Sequence, residues 1–315
     1  MLVPQQTPPS APNEGAARLS KPRPRPLEWV IEKWLWFAAA SSIFITFAII
    51  YVLVTNSALF FKEVSFFEFI TGTNWSPLFK PAEYGILPLL AGTSLIVVIA
   101  AIIALPIGLG CAVYMSEYAT PFQRMVFKPF LEILAGIPTI VYGYLALTFI
   151  TPILQSIYPG FGVFNALSGG IVVGIMILPM IATLSEDALR AVPKNLREGA
   201  YGLGAQSYQV SLNVVLPAGL SGISSAFILA LSRAFGETMA VTIAAGSTPK
   251  LTLDPTQSIQ TMTSYIVQVS KGDTPVGTVE YHTLFAVALI LFLFTFSMNI
   301  LANRIQRRFR EEYKS

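Results

Sequence analysis

The feature that most constrains this fold is a stretch of 53 residues, 133–185, without a charged side chain. An α-helix needs about 20 apolar residues to cross the hydrocarbon core of a bilayer, so this stretch is long enough for two crossings. The Pro/Gly-rich segment TPILQSIYPGFG at 151–162 divides it. Over the whole chain only 12% of residues are charged, against roughly a quarter in soluble domains. The sequence therefore predicts an integral membrane protein.

Comparable uncharged stretches predict an all-α chain with six transmembrane helices. We expect them at 34–55, 87–115, 129–151, 166–185, 219–246 and 283–303. The chain then divides into a Pro-rich arm, a first helix with its external loop, a permease core and a basic tail, at 1–30, 31–86, 87–303 and 304–315. The arm has almost no large apolar side chains, and we expect it to be disordered.

The distribution of Lys and Arg predicts the orientation. Fifteen of the twenty fall at 18–33, 124–128, 190–197 and 304–314, and four fall on the alternate loops. Because positive charge accumulates on the cytoplasmic side of membrane proteins, both termini are predicted to be cytoplasmic. The loop 185–217 is then cytoplasmic as well.

That loop carries a spaced pattern at Glu198, Gly199, Ala200, Gly204, Leu216 and Pro217. Helical spacing predicts an amphipathic helix over 193–210, which is either a surface helix on lipid headgroups or a docking helix for a soluble partner. The spacing resembles the EAA motif of ABC-transporter permeases, with Gly199 in place of the central Ala. This resemblance favours docking of an ATPase.

Other stretches narrow the family. They are FITGTNWSP at 69–77, YGILPLLAGT at 84–93, SEYA at 116–119, LEILAGIPTIVYG at 131–143, RAFGETMAV at 233–241 and the Arg-rich end. Together with the loop they resemble the PstC-type permease subunit of the Pst phosphate-import ABC transporter, over about 60–315. The sister PstA-type subunit shares the EAA loop and the Arg–Gly–Glu segment, and the other stretches favour the PstC type.

The resemblance implies a type I ABC importer permease fold in a prokaryotic inner membrane. It implies a subunit without enzymatic activity that works with membrane lipid and three kinds of protein. These are a second permease (PstA-type), two ATPase subunits (PstB-type) and an extracytoplasmic phosphate-binding protein (PstS-type). No GxxxxGK[ST] phosphate loop occurs in the chain, so ATP binding belongs to the ATPase. No cofactor, metal site, catalytic residue or nucleic-acid partner is expected.

Arg233 and Glu237 are the only charged residues between 199 and 249. A charge at the centre of a bilayer costs about 2.5–3.5 kcal/mol on insertion scales, so such residues usually have a function. At i and i+4 on one helix they could form a structural ion pair. Alternatively, they line the substrate pathway, where the guanidinium would hold phosphate oxygens. The resemblance favours the pathway, because both positions fall on the family's intramembrane Arg and Glu. A second pair, Lys128 and Glu132, is expected at the membrane interface.

Two other kinds of transporter remain open from composition alone. Arg233 would suit sulfate or molybdate in an ABC permease as well as phosphate. An ion-coupled secondary transporter is the alternative from a different class, although it would leave the EAA spacing unexplained and no internal repeat is visible. A membrane-embedded enzyme is disfavoured, because no nucleophile–base pair or metal cluster is apparent.

Overall fold

The computed structural model of the protein describes residues 26–272 and 274–310, with side chains at 28–272 and 274–305. The predicted arm thus lies outside the described residues up to position 25, and Pro26 already begins the first helix. The last five residues of the basic tail lie outside them too. Contacts divide the chain into two compact units, 1–51 and 52–315. All regular structure within the described ranges is helical.

The first half of the described chain contains α1 (Pro26–Glu63), α2 (Phe66–Thr71), α3 (Leu87–Val113), α4 (Pro121–Gly136), α5 (Thr139–Leu145) and α6 (Thr151–Ile157). The second half contains α7 (Ala166–Arg190), α8 (Lys194–Gly202), α9 (Ser207–Val210), α10 (Leu216–Ala218), α11 (Leu220–Phe235), α12 (Met239–Ala244), α13 (Met262–Lys271) and α14 (Val279–Arg310). Three π turns occur in the described chain: Tyr114–Tyr118 continues α3 to its end, Ala146–Ile150 joins α5 to α6, and Ser211–Val215 joins α9 to α10.

Five helical segments of the described chain are long and apolar enough to cross a membrane. They are Glu28–Glu63, Leu87–Tyr118, Thr139–Ile157, Ala166–Arg190 and Val279–Ile305. A sixth results only if the segment Ser207–Ala218 and α11, which are bent by 69° relative to each other, count as one span. The predicted helices near 87–115, 166–185 and 283–303 are confirmed, and each extends a few residues further than expected when the π turn to Tyr118 is counted with α3.

The third predicted span, 129–151, is wrong in its position. The structure has two helices there, α4 and α5, with Ile137 and Pro138 in extended conformation between them. A residue before proline is pushed out of the helical region, which explains the break. Helix α4 is amphipathic and is capped by Thr120 and Gln123 through reciprocal hydrogen bonds. The apolar span begins only after the break and continues to Ile157.

The fifth predicted span, 219–246, is also not one helix. Helix α11 ends at Phe235, Gly236 follows as its C-cap, and α12 begins only at Met239. Gly is the weakest helix former after Pro, and Glu237 has a competing hydrogen bond at this point. The short α12 then leads into a loop at 245–261 whose backbone bonds to residues 162–167 at the start of α7.

The core of the second unit is built around α3 and α7, which lie against each other. Small residues permit this approach: a Cβ on Gly108 would lie 2.6 Å from the Ile181 side chain, and one on Gly174 would lie 3.2 Å from the Ala100 carbonyl oxygen. Fully buried Val172, Val173, Ile177 and Ile181 of α7 fill the interface. This close packing is typical of helices in membranes, where small residues let backbones approach.

Proline accounts for two of the three π turns. The turns at Ala146–Ile150 and Ser211–Val215 both end two residues before a proline, Pro152 and Pro217. Proline has no N–H to donate, and its ring presses on the carbonyl four residues earlier. The helix widens by one residue in response. The second of these turns lies inside the loop that carries the EAA spacing.

Candidate coupling and pathway sites

The EAA residues form an exposed surface around helix α8. Glu198 and Gly199 are exposed, Ala200 is partly buried, and α8 contains no buried residue. The helix is shorter than the predicted 193–210 and ends at Gly202. Beyond it, Leu203 exposes 91% of its surface and Tyr208 exposes 53%. Two large side chains are thus largely exposed on this charged loop.

Gly204 makes the turn that ends this helical segment. Its φ of +83° lies in the left-handed region, which side-chain-bearing residues avoid. Its N–H donates to the Tyr201 carbonyl, and Ala205 N–H donates to the Ala200 carbonyl, so the last carbonyls of α8 are satisfied. The glycine of the motif is thus required by backbone conformation. The spacing singled out this glycine without giving this reason.

Arg197 anchors α8 to two of the long helices, a role that the sequence reasoning missed. Its Nη1 donates to the Val192 carbonyl at 2.6 Å, and its Nη2 donates to the Leu189 carbonyl at 2.8 Å. The same guanidinium forms an ion pair with Glu117, with Nη2–Oε1 at 3.0 Å and Nε–Oε2 at 3.3 Å. Both side chains are largely buried, at 17% and 9% exposure. Eighty residues separate the partners, so spacing could not reveal the pair.

A second group of ion pairs, between α4 and α7, contradicts the expected Lys128–Glu132 pair. Lys128 instead lies 3.2 Å from Oε2 of Glu186, and Arg190 lies 3.4 Å from Oε1 of the same carboxylate. The Glu186 side chain is fully buried. Lys128 belongs to α4, so the group ties α4 to α7. The amphipathic α4 turns Lys128 toward α7 and leaves Glu132 exposed.

Arg233 lies in the last turn of α11 and its side chain is exposed. Within the described residues its guanidinium makes no hydrogen bond or ion pair. The neighbouring Ala234 and Phe235 are buried, with the Phe235 ring 4.5 Å from that of Phe294 on α14. The backbone at this point is therefore held in the core while the charge points away from it.

Glu237 does not pair with Arg233 in the structure, because α11 ends between them. It is 9% exposed, and its Oε1 accepts a hydrogen bond from Ala240 N at 3.1 Å, which caps α12. Thr263 Oγ1 donates to the Glu237 carbonyl at 2.7 Å and so ties the break to α13. The ion pair at helical spacing, one alternative from the sequence, is not formed. Glu237 instead holds three helices together at the bend.

The loop after α12 is shaped by an acidic residue outside the spans. Hydrogen bonds from Thr256 hold the pKa of the Asp254 carboxyl below its usual range, with a smaller contribution from Gln257 and Lys250. The Thr256 hydroxyl donates at 2.7 Å and the Gln257 amide at 2.8 Å. Asp254 therefore stays ionised and orders the loop that bonds to the start of α7. No group of three or more potential metal ligands occurs in the described part of the chain.

Comparison with known families agrees with this architecture. Residues 104–311 match the family described as binding-protein-dependent transport system inner membrane component. That match begins inside α3 and extends through the rest of the described chain, including the EAA loop, Arg233 and Glu237.

Several relatives share more than 30% identity with the chain over most of their length. The probable ABC transporter permease protein YqgH of Bacillus subtilis is 36% identical over 245 residues, which is 78% of this chain and 79% of YqgH. The phosphate transport system permease protein PstC of Mesorhizobium japonicum is 33% identical over 261 residues, with 77% and 79% covered. PstC 1 of Mycobacterium tuberculosis is 34% identical over 278 residues, with 76% and 82% covered.

Solved structures share the fold at lower identity. A bacterial ABC transporter involved in import of the acidic polysaccharide alginate superposes with a TM-score of 0.61 at 16% identity, over 90% of this chain and 99% of the other. The MetNI methionine ABC transporter superposes with a TM-score of 0.52 at 19% identity, over 71% and 94%. The predicted type I importer permease fold is thus confirmed. The chain belongs to the family of binding-protein-dependent transport system inner membrane components, as a multi-pass PstC-type permease subunit and not an enzyme.

Proposed function

We propose that this chain forms half of the translocation pathway of an ATP-driven inorganic phosphate importer. Its relatives named PstC are phosphate transport permeases at 31–34% identity, which supports phosphate as the substrate. A binding protein and an ATPase follow from the permease family. The specific partners we propose are a PstA-type second permease, two PstB-type ATPase subunits and a PstS-type phosphate-binding protein.

The observation that carries the proposal is the uncompensated charge of Arg233. An exposed arginine in an apolar segment has no partner among the described residues, and a bilayer would make this arrangement costly. An interface with the second permease, wide enough for an anion, removes that cost. The planar guanidinium can then donate two parallel hydrogen bonds to phosphate oxygens and replace part of the hydration shell of the anion.

Glu237 contributes to the pathway by holding its wall. Its carboxylate caps α12 and its carbonyl is bound by Thr263, so the bend after Arg233 is determined by this residue. The bend ends α11 directly after the arginine. We therefore assign Arg233 to the contact with the anion and Glu237 to the backbone that presents Arg233.

The coupling surface is where ATP hydrolysis by the ATPase would drive the transport cycle. ATPase subunits that close on ATP would move the two EAA loops of the complex toward each other, which shifts the permeases from an inward-open to an outward-open state. In this chain the surface consists of Glu198, Gly199, Ala200 and Gly204, with Leu216 and Pro217 at the entry to α11. The binding protein then delivers phosphate toward Arg233, and hydrolysis of ATP restores the inward-open state.

The test is uptake of radiolabelled phosphate in cells that lack other phosphate transporters, at matched protein levels. Arg233→Gln should lower uptake about 10- to 150-fold, because a hydrogen bond to a charged group is worth roughly 1.5–3 kcal/mol. Arg233→Lys keeps the charge and loses the fork, so its uptake should be intermediate. Excess sulfate or molybdate should not compete. Wild-type uptake by Arg233→Gln would remove the residue from the pathway.

Glu237 supplies the matched control. Glu237→Gln retains an oxygen that can accept from Ala240 N, so it should transport phosphate with modest change. Glu237→Ala removes the cap, which is worth about 0.5–2 kcal/mol, and should lower both uptake and thermal stability of the complex. If Glu237→Gln abolishes uptake as completely as Glu237→Ala does, the charge of the carboxylate matters and the capping role is wrong.

A further inference from the structure

The coupling loop contacts the end of α3 at two separate points. The first is the ion pair between Arg197 and Glu117, described above. The second joins Ser211 Oγ and Tyr118 OH at 3.4 Å. Glu117 and Tyr118 both lie in the first π turn, Tyr114–Tyr118, which continues α3. The SEYA stretch at 116–119, so far without a role, therefore contains the residues that the loop contacts.

This π turn is held from the other side by α4. Arg124 donates through Nε to the Met115 carbonyl at 2.6 Å and through Nη2 to the Ser116 carbonyl at 2.7 Å. The turn thus lies between two arginines, with Arg197 on its carboxylate and Arg124 on its backbone. π turns are frequent at functional sites and are less regular than the helices they interrupt. A force on Glu117 therefore acts on the end of a long, otherwise regular helix.

We infer that the Glu117–Arg197 ion pair is the joint that transmits movement of the coupling loop to α3. The inference rests on the proposed function, because it takes α8 as the surface on which the ATPase docks. Arg197 is suited to the task since four hydrogen bonds leave it no freedom relative to α7 or the π turn. Its neighbour Glu198 faces outward and is free for the partner. Glu117 and Arg197 are positioning residues, and neither contacts substrate.

The chain contains its own reporter for this movement. Cys111 is the only cysteine in the sequence and lies on α3, six residues before Glu117. It is partly exposed and borders an apolar cavity of about 480 Å³ between α3 and α4, lined also by Tyr114, Phe127 and Phe130. If α3 moves against α4, the reactivity of the Cys111 thiol toward a maleimide should change.

The experiment measures the rate of maleimide labelling of Cys111 in the purified four-component complex, with and without ATP plus vanadate. We expect ATP to change the rate in the wild type. Arg197→Gln and Glu117→Gln should each abolish that change and lower phosphate uptake about 5- to 150-fold, the usual range of coupling between sites. The double variant should be no worse than the more severe single variant, because both remove the same joint. ATPase subunits should still co-purify with all three.

Arg304→Gln is the matched control. It removes one cation from an exposed position on α14 that forms no ion pair in the described structure, so labelling and uptake should stay at wild-type values. An ATP-dependent change that persists in both single variants would overturn the inference, and so would a wild type whose Cys111 labelling does not respond to ATP. Failure of the proposed function looks different: the wild-type chain would then fail to bind the ATPase or to transport phosphate.

Discussion

Two glycines of the coupling loop have the same open surroundings and opposite backbone requirements. A Cβ built on Gly199 or on Gly204 meets no atom within 4 Å. Gly199 lies inside α8, where Ala is favoured over Gly by about 1 kcal/mol. Gly204 has a φ of +83°, a conformation that costs other residues roughly 1–2 kcal/mol. Sterics are thus equal at the two positions, and backbone conformation alone separates them.

We therefore predict opposite effects of the same substitution. Gly204→Ala should straighten the turn after α8 and weaken association with the ATPase by a factor of about 5–30, which corresponds to 1–2 kcal/mol. Gly199→Ala restores the residue that the EAA motif has and should leave association intact or strengthen it. The measurement is the fraction of ATPase subunits that co-purifies with each variant at equal expression. Equal association of both variants would show that the turn is not required for docking.

At this scale the sequence identified the charged and motif residues but not their partners. Arg233, Glu237 and the EAA residues were all singled out by composition or spacing. The ion pair of Arg197 with Glu117 joins residues far apart in the chain, and the pair of Lys128 with Glu186 depends on how α4 rotates about its axis. Neither the long-range contact nor the rotation of α4 can be read from the local spacing of residues. The capping role of Glu237 could have been suspected from the Gly236 beside it.

Between elements, the short helix α12 depends on a close approach to α5. A Cβ on Gly143 of α5 would lie 2.9 Å from Cβ of Ile243 and 3.1 Å from Cα of Ala240. These distances are below normal contact, so any larger side chain must push α12 away. Helix α12 directly follows the bend after Arg233. The position of the bend is therefore coupled to this glycine contact.

Gly143→Ala should destabilise the protein by about 1–3 kcal/mol, the usual cost of overpacking, and should lower phosphate uptake. Gly136→Ala is its control, because Gly136 ends α4 and a Cβ there meets nothing within 4 Å. The thermal unfolding midpoint in detergent and the uptake rate should both fall only for Gly143→Ala. A Gly143→Ala protein as stable as Gly136→Ala would mean that α12 is loosely held.

The elements themselves were predictable where apolar stretches were uninterrupted. Helices α3, α7 and α14 follow from length and hydropathy, because nothing within them competes with the helix except Pro106 and Pro179, which α3 and α7 tolerate. The third and fifth spans were misplaced for local reasons that a hydropathy window averages out. Pro138 ends α4 before the apolar segment starts, and Gly236 with the Glu237 cap divides α11 from α12.

Within the second unit, the contacts bring the cationic loops to one end. Arg197 of α8 bonds to carbonyls at the end of α7 and to the π turn after α3, while Lys128 of α4 reaches Glu186 of α7. The segments at 124–128 and 190–197, predicted to be cytoplasmic from charge, are thus neighbours in space. Exposed positions on both predicted sides allow the orientation of the chain in the membrane to be measured.

Labelling of single cysteines should establish the orientation of the whole molecule. With Cys111 replaced by Ser, Leu203→Cys reports the predicted cytoplasmic loop and Val276→Cys the predicted external one, since these side chains are 91% and 82% exposed. The excess of Lys and Arg at the Leu203 end predicts that this end lies inside the cell. In intact cells expressing the chain without its ATPase, a membrane-impermeant maleimide should label Val276→Cys only. In inverted membrane vesicles the pattern should reverse. Labelling of Leu203→Cys in intact cells would mean that the chain has the opposite orientation in the membrane. The coupling loop would then lie where no cytoplasmic ATPase can reach it.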